Sequence, residues 1–153
     1  MELPAVGWIN LNLDGASKGK PGEAGAGGLL CDHIDIVLAA FYEFPGFRTN
    51  LYAKFMAVFR GSEISIELGH CRMWIEVAAS LVISIVNSDA WGNWQYQDLV
   101  VRIRSALLKV EFKLKVTFRE EQQKQSVLLR LTAGDAICRL RSSNYSDATT
   151  GSA

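Results

Sequence analysis

No apolar run in these 153 residues reaches the ~18 that a bilayer span requires. The opening stretch, MELPAVGWINLNLDG, has no basic leader and no apolar h-region. The sequence therefore predicts neither a membrane protein nor a secreted one. Cysteine is scarce: Cys31, Cys71 and Cys138 are odd in number and widely spaced. That excludes a zinc pattern or a disulfide framework and predicts reduced thiols in an intracellular compartment, cytoplasm or nucleus. Histidine is scarcer still. His33 and His70 lack ligand spacing and read as surface residues near turns. Net charge is also missing, because sixteen basic residues balance sixteen acidic ones. With 49% hydrophobic and 21% charged residues, the chain is neither disordered overall nor collagen-like. Its length is that of one domain with a core of its own.

The balanced charge is unevenly spread. Residues 1–99 carry a net of −5 and residues 100–141 a net of +6. A basic C-terminal third can attract phosphates. The simpler reading places Arg102, Arg104, Lys109, Lys113 and Lys115 on solvated faces of a helix and a strand.

Trp8 to Leu13 alternates, with Ile9, Leu11 and Leu13 on one side and Asn10 and Asn12 on the other, which predicts a half-buried strand ending at the turn dipeptide Asp14-Gly15. A second strand is predicted over Gly25 to Cys31, its glycines marking close backbone approach. A third runs from Ile36 to Phe44 and is closed by Pro45-Gly46. Thr49 or Asn50 caps a helix that Gly69 ends. Cys71 to Val77 is a short strand, 79–88 a buried helix, Gln97 to Lys109 an amphipathic helix, Phe112 to Phe118 a strand, and Glu120 to Leu131 a last helix. Trp91-Gly92-Asn93-Trp94 reads as a loop whose indoles pin it to the core. The polar tail 142–153 is expected to be disordered. The order β-β-β-α-β-α-α-β-α predicts an α/β fold, a mixed sheet of three antiparallel and then parallel strands with helices on both faces.

The string Gly7-Trp8-Ile9-Asn10-Leu11-Asn12-Leu13-Asp14-Gly15-Ala16-Ser17-Lys18-Gly19, followed by Pro21-Gly22-Glu23-Ala24-Gly25-Ala26-Gly27-Gly28, resembles the opening of the plant ribonuclease H-like domain. That domain is related to the reverse-transcriptase-associated ribonuclease H of retroelements. Asn87-Ser88-Asp89, Trp94, Tyr96-Gln97-Asp98-Leu99-Val100, Arg102-Ile103-Arg104 and Phe118-Arg119-Glu120 extend the resemblance. It covers residues 5–131 and leaves 132–153 as a C-terminal extension. It implies a five-stranded ribonuclease H-like sheet, and hydrolysis of the RNA strand of an RNA–DNA hybrid by four carboxylates around two divalent ions.

Carried over position by position, the resemblance places the first carboxylate at Asp14. The second position, after Thr49-Asn50-Leu51-Tyr52-Ala53, holds Lys54. The third, after Glu76-Val77, holds Ala78, and the fourth holds Ser126. One carboxylate cannot offset the repulsion of two dications, and an ammonium beside it adds to that repulsion. The expectation is a catalytically degenerate domain with no cofactor, or magnesium if family activity persists. Asp14 is then either a weak cation ligand or an ordinary turn residue. Lys54 can pair with it in place of the metal. Neither Glu76, two residues before Ala78, nor Asp135, nine beyond Ser126, is placed to compensate. Ser17, Lys18, Lys20 and Asn50 are the candidate contacts to nucleic acid, either RNA–DNA hybrid or RNA. Two other readings stand beside this one: an active hybrid ribonuclease with atypical ligands, and a protein-interaction module whose partner is unknown.

Overall fold

The computed structural model describes residues 5–88 and 94–116. Strands β1 (Ile9–Ser17), β2 (Gly22–Cys31) and β3 (Val37–Arg48) precede helix α1 (Asn50–Glu67). Then follow β4 (Arg72–Val77), α2 (Ser80–Asn87), α3 (Gln97–Leu107) and β5 (Glu111–Val116). The sheet order is β3-β2-β1-β4-β5. The first three strands are mutually antiparallel, while β4 runs parallel to both β1 and β5. This is the predicted mixed sheet. The last helix expected over 120–131 and the tail lie outside the described residues. No helix among the described residues is long and apolar enough to cross a membrane.

The alternation in β1 organises the core. Ile9, Leu11 and Leu13 are fully buried and share one apolar cluster with Phe55, Val58, Ile75, Val82 and Ile103. The described helices meet over this face: α1 packs on β1 and β2, α3 packs on α1, and α2 touches both helices. Phe55 stacks on Tyr96 with ring centroids 4.7 Å apart. Close approach is visible at Gly28, where a Cβ would sit 2.5 Å from Leu13 Cδ2 and 2.8 Å from Phe41 Cε1.

Three expectations need correction. Asp14-Gly15 is not a turn, because β1 continues through it to Ser17, paired residue by residue with β2. Pro45-Gly46 does not end β3, which runs on to Arg48 past a register shift near Ala24 and Ala26. An edge strand tolerates proline, since no neighbour asks for its missing N–H. Trp94 does not pin a loop to the core; it is 81% exposed. Residues 91–93 lie outside the described residues.

The basic third is only partly a solvated face. Arg102 pairs with Asp98 one helical turn away at 3.2 Å. Arg104, half-buried, donates to the Ile85 and Val86 carbonyls and so caps the end of α2. Lys113 lies over the Trp8 ring and Lys115 over the Trp74 ring. The Asn side of β1 is buried as well: Asn10 and Asn12 are nearly inaccessible, and across from them Leu29, Cys31 and Ala40 form a second small cluster. His33 and His70 are partly exposed and lie at or beside turns.

Burial, with Asp35 and Asp32 nearby, pushes the Cys31 thiol up to about 12 from an ordinary 9.0. The folded thiol thus keeps its proton where the unfolded one loses it. Its contribution to stability is intact below pH 9.0 and lost as pH rises toward 12. Alkylation with peptide mapping should modify the exposed Cys71 well before Cys31. Relative to Cys31→Ala, the native chain should lose urea resistance as pH climbs from about 8 to 11.

Candidate functional site

The site lies where the C-terminal half of β1 meets the first turns of α1. Thr49 is the N-cap, its hydroxyl accepting from the Tyr52 N–H at 3.2 Å. That fixes Asn50 as the first helical residue. Asn50 and Lys54, four apart, project from one face of α1 toward β1. Both are used to tie the two elements together. The Ser17 N–H donates to Asn50 Oδ1 at 2.5 Å. Lys54 Nζ donates to the Gly15 carbonyl at 2.9 Å and to Asp14 Oδ1 at 3.2 Å. The same Oδ1 accepts from the Gly15 N–H at 2.8 Å. The Lys54 side chain is 22% exposed and that of Asp14 44%, so the pair sits at the mouth of the site, partly withdrawn from water.

Gly15 makes this geometry attainable. A Cβ there would meet the Ala53 carbonyl and lie 2.6 Å from the Lys54 nitrogen. Strand and helix backbones are in direct contact, which brings the Lys54 side chain back onto Asp14. The Asp-Gly pair thus serves a close crossing rather than a turn.

Ala78 follows the last register pair of the parallel strands, Leu13 opposite Val77, and so stands beside Asp14. Ser126 and Asp135 lie outside the described residues. Glu76 is 1% exposed and opposite Asn12, one pleat back from the site. Lys54 is thus hydrogen-bonded to Asp14, and Ala78 follows the strand residue opposite Leu13. The side chains present do not fit a pair of magnesium ions. Such a centre needs several anionic oxygens. Here an ammonium group is hydrogen-bonded to the carboxylate and to the neighbouring carbonyl. Among the described residues no group of three or more His, Cys, Asp or Glu side chains could hold a metal ion.

The loop from β1 to β2 completes the surface. Ser17 Oγ donates to the Gly19 carbonyl at 2.6 Å, and the Lys18 N–H donates to the Glu23 carbonyl at 2.9 Å, folding the loop on itself. Lys18 and Lys20 are exposed. Lys18 has only a loose contact with Glu23 at 3.6 Å, and both side chains are more than 80% exposed, so the pair is worth little. Ser17, Lys18, Lys20 and Asn50 thus form one patch flanking the Asp14–Lys54 pair. Sequence reasoning missed an open groove of about 770 Å³ beside this loop, lined by Ala16, Ser17, Gly25, Tyr42, Phe44 and Phe47. Its signal was present in Tyr42-x-Phe44, two aromatics on one side of a strand facing a glycine.

The profile of a family described as reverse transcriptase-like matches residues 12–127. The chain belongs to that family. An Arabidopsis thaliana protein provisionally named as a ribonuclease H is 32% identical over 85 residues. The match covers 56% of this chain but only 14% of that protein's length. Among solved structures, ribonuclease H1 from Halobacterium salinarum superposes with a TM-score of 0.71 at 22% identity, covering 76% of this chain and 89% of the other. A compost-derived ribonuclease H1, solved in complex with RNA/DNA hybrid, gives 0.69 at 18% identity over 76% of this chain and 89% of its own. At these identities the structural likeness is one of fold. This member of the reverse transcriptase-like family has the ribonuclease H-like sheet and element order.

Proposed function

We propose that this ribonuclease H-like domain is catalytically degenerate and acts as a nucleic-acid-binding or scaffold module, derived from a retroelement enzyme. The observation that carries this reading is Lys54 Nζ, hydrogen-bonded to Asp14 Oδ1 and the Gly15 carbonyl. An internal ammonium now supplies the positive charge the resemblance assigns to metal ions. It holds β1 and α1 in place without them. Alanine at 78 and serine at 126 leave two further positions without a carboxylate. Fewer carboxylates also make the mouth of the site less repulsive to phosphates. The adjoining patch of Ser17, Lys18, Lys20 and Asn50 supplies hydroxyl, amide and ammonium groups suited to sugar and phosphate contacts. The reverse transcriptase-like family description supports the retroelement origin.

Gel-shift and cleavage assays on an RNA–DNA hybrid, with and without magnesium, test the reading. Expected is binding that weakens with salt, and no cleavage in either condition. Lys18→Ala combined with Lys20→Ala should weaken binding and lower the salt slope by about 2. Magnesium-dependent cleavage abolished by Asp14→Asn would overturn the proposal in favour of an active ribonuclease. Neither binding nor cleavage would leave a protein-interaction module.

A further inference from the structure

Strand β3 carries three exposed aromatic rings on one face. Phe41 is buried in the core and Glu43 is turned onto Arg60 of α1, so Tyr42 and Phe44 project from the face away from that helix. Alternation alone would send Phe47 the other way. A bulge corrects this: Phe44 and Pro45 together stand opposite Gly25, between the pairs Ala26–Glu43 and Ala24–Gly46. The extra residue returns Phe47, opposite Glu23, to the side of Tyr42 and Phe44. The three rings, 38%, 68% and 69% exposed in chain order, line the groove of about 770 Å³ beside the β1–β2 loop. Its floor is low, because Ala16 pairs with Gly25 there. Tyr42 lies across that glycine, where a Cβ would fall 3.0 Å from its Cζ, and meets Phe44 edge to face with centroids 4.9 Å apart.

The groove continues the candidate site. Asp14 pairs with Gly27 and Gly27 with Tyr42, so the three stand in one row across the sheet. At ~4.8 Å from strand to strand, the Tyr42 backbone is ~10 Å from that of Asp14. Ser17 and Lys18 belong to both the groove and the patch, and Lys20 is exposed two residues further along the loop. Glu23 also lines the groove, but it is already in contact with Lys18 at 3.6 Å. Resting on the nucleic-acid reading above, we infer that the groove takes an unpaired base of a single strand, stacked on Phe44 and Phe47, while Lys18 holds the adjoining phosphate. Every base has a π-face, so the groove selects unpaired bases rather than a sequence. A base inside a duplex keeps its faces against its neighbours and does not enter.

Fluorescence anisotropy of the full chain tests this with three probes. They are a blunt RNA–DNA hybrid, the same hybrid with an unpaired tail at each end, and one whose tails are abasic but equal in length and charge. Far-UV circular dichroism checks folding. Tails with bases should bind about fivefold tighter or more than abasic tails. Phe44→Leu combined with Phe47→Leu should erase that difference and leave the affinity for the blunt hybrid unchanged, while Phe44→Trp should keep it. Equal affinity for the two tails, with the blunt hybrid still bound, would overturn the role of the groove and spare the nucleic-acid reading. So would a difference that survives the double variant. Failure to bind any of the probes would overturn both and leave the groove to a protein segment.

Discussion

Gly15→Ala is expected to lower stability by about 3 kcal/mol or more, the upper range for overpacking, since the new methyl would meet main chain rather than a movable side chain. The Cβ would meet the Ala53 carbonyl and lie 2.6 Å from the Lys54 nitrogen. Strand β1 cannot retreat, because β2 and β4 hold it on either side. Helix α1 cannot retreat without pulling Asn50 from the Ser17 N–H and Lys54 from the Gly15 carbonyl. Phe55, on the next turn with no exposed surface, would lose its packing. Urea denaturation read by circular dichroism measures the loss. An unchanged midpoint would mean that the strand–helix crossing is looser than its hydrogen bonds indicate.

The second large effect is a gain. Lys54→Glu combined with Ala78→Asp should create a divalent-cation site beside Asp14 far stronger than any the native chain offers. The first change replaces a cation already touching Asp14, and the second adds a carboxylate on the neighbouring parallel strand. A monovalent charge ~4 Å from a dication is worth ~8 kcal/mol at an effective dielectric near 20. Asp14 is nearly half exposed, so water screens much of this. A residue of ~3 kcal/mol is still more than ~100-fold in affinity. Titration of the native and double-variant chains with manganese, followed by calorimetry, reads the difference. Without the ion the double variant should be less stable than native, since three carboxylates then repel one another, and manganese should restore its melting temperature. Equal manganese affinity in the two chains would show that Lys54 does not govern the site.

The β1 and α1 patterns were legible because each is local. Alternation over six residues marks one buried strand face, and a threonine before helical spacing marks an N-cap. The family itself was legible too, since motifs are read along the chain. The role of Gly15 was not, because Asp-Gly has the same composition in a turn and in a strand pressed against a helix. The edge position of β3 was also hidden, so Pro45 read as a terminator. Arg104 looked like a solvated cation, since its acceptors, the carbonyls of Ile85 and Val86, belong to another helix.

The linear chain by itself supplied Asp14, Lys54 and Ala78 at positions where the resemblance implies acids. Folding decided what they do. Only the crossing of β1 and α1 brings the ammonium of residue 54 onto residue 14, forty positions away, and only sheet order leaves β3 without an outer neighbour among the described residues. Composition and periodicity act over one or two turns of backbone, whereas charge pairing and strand exposure depend on which distant segments the core draws together.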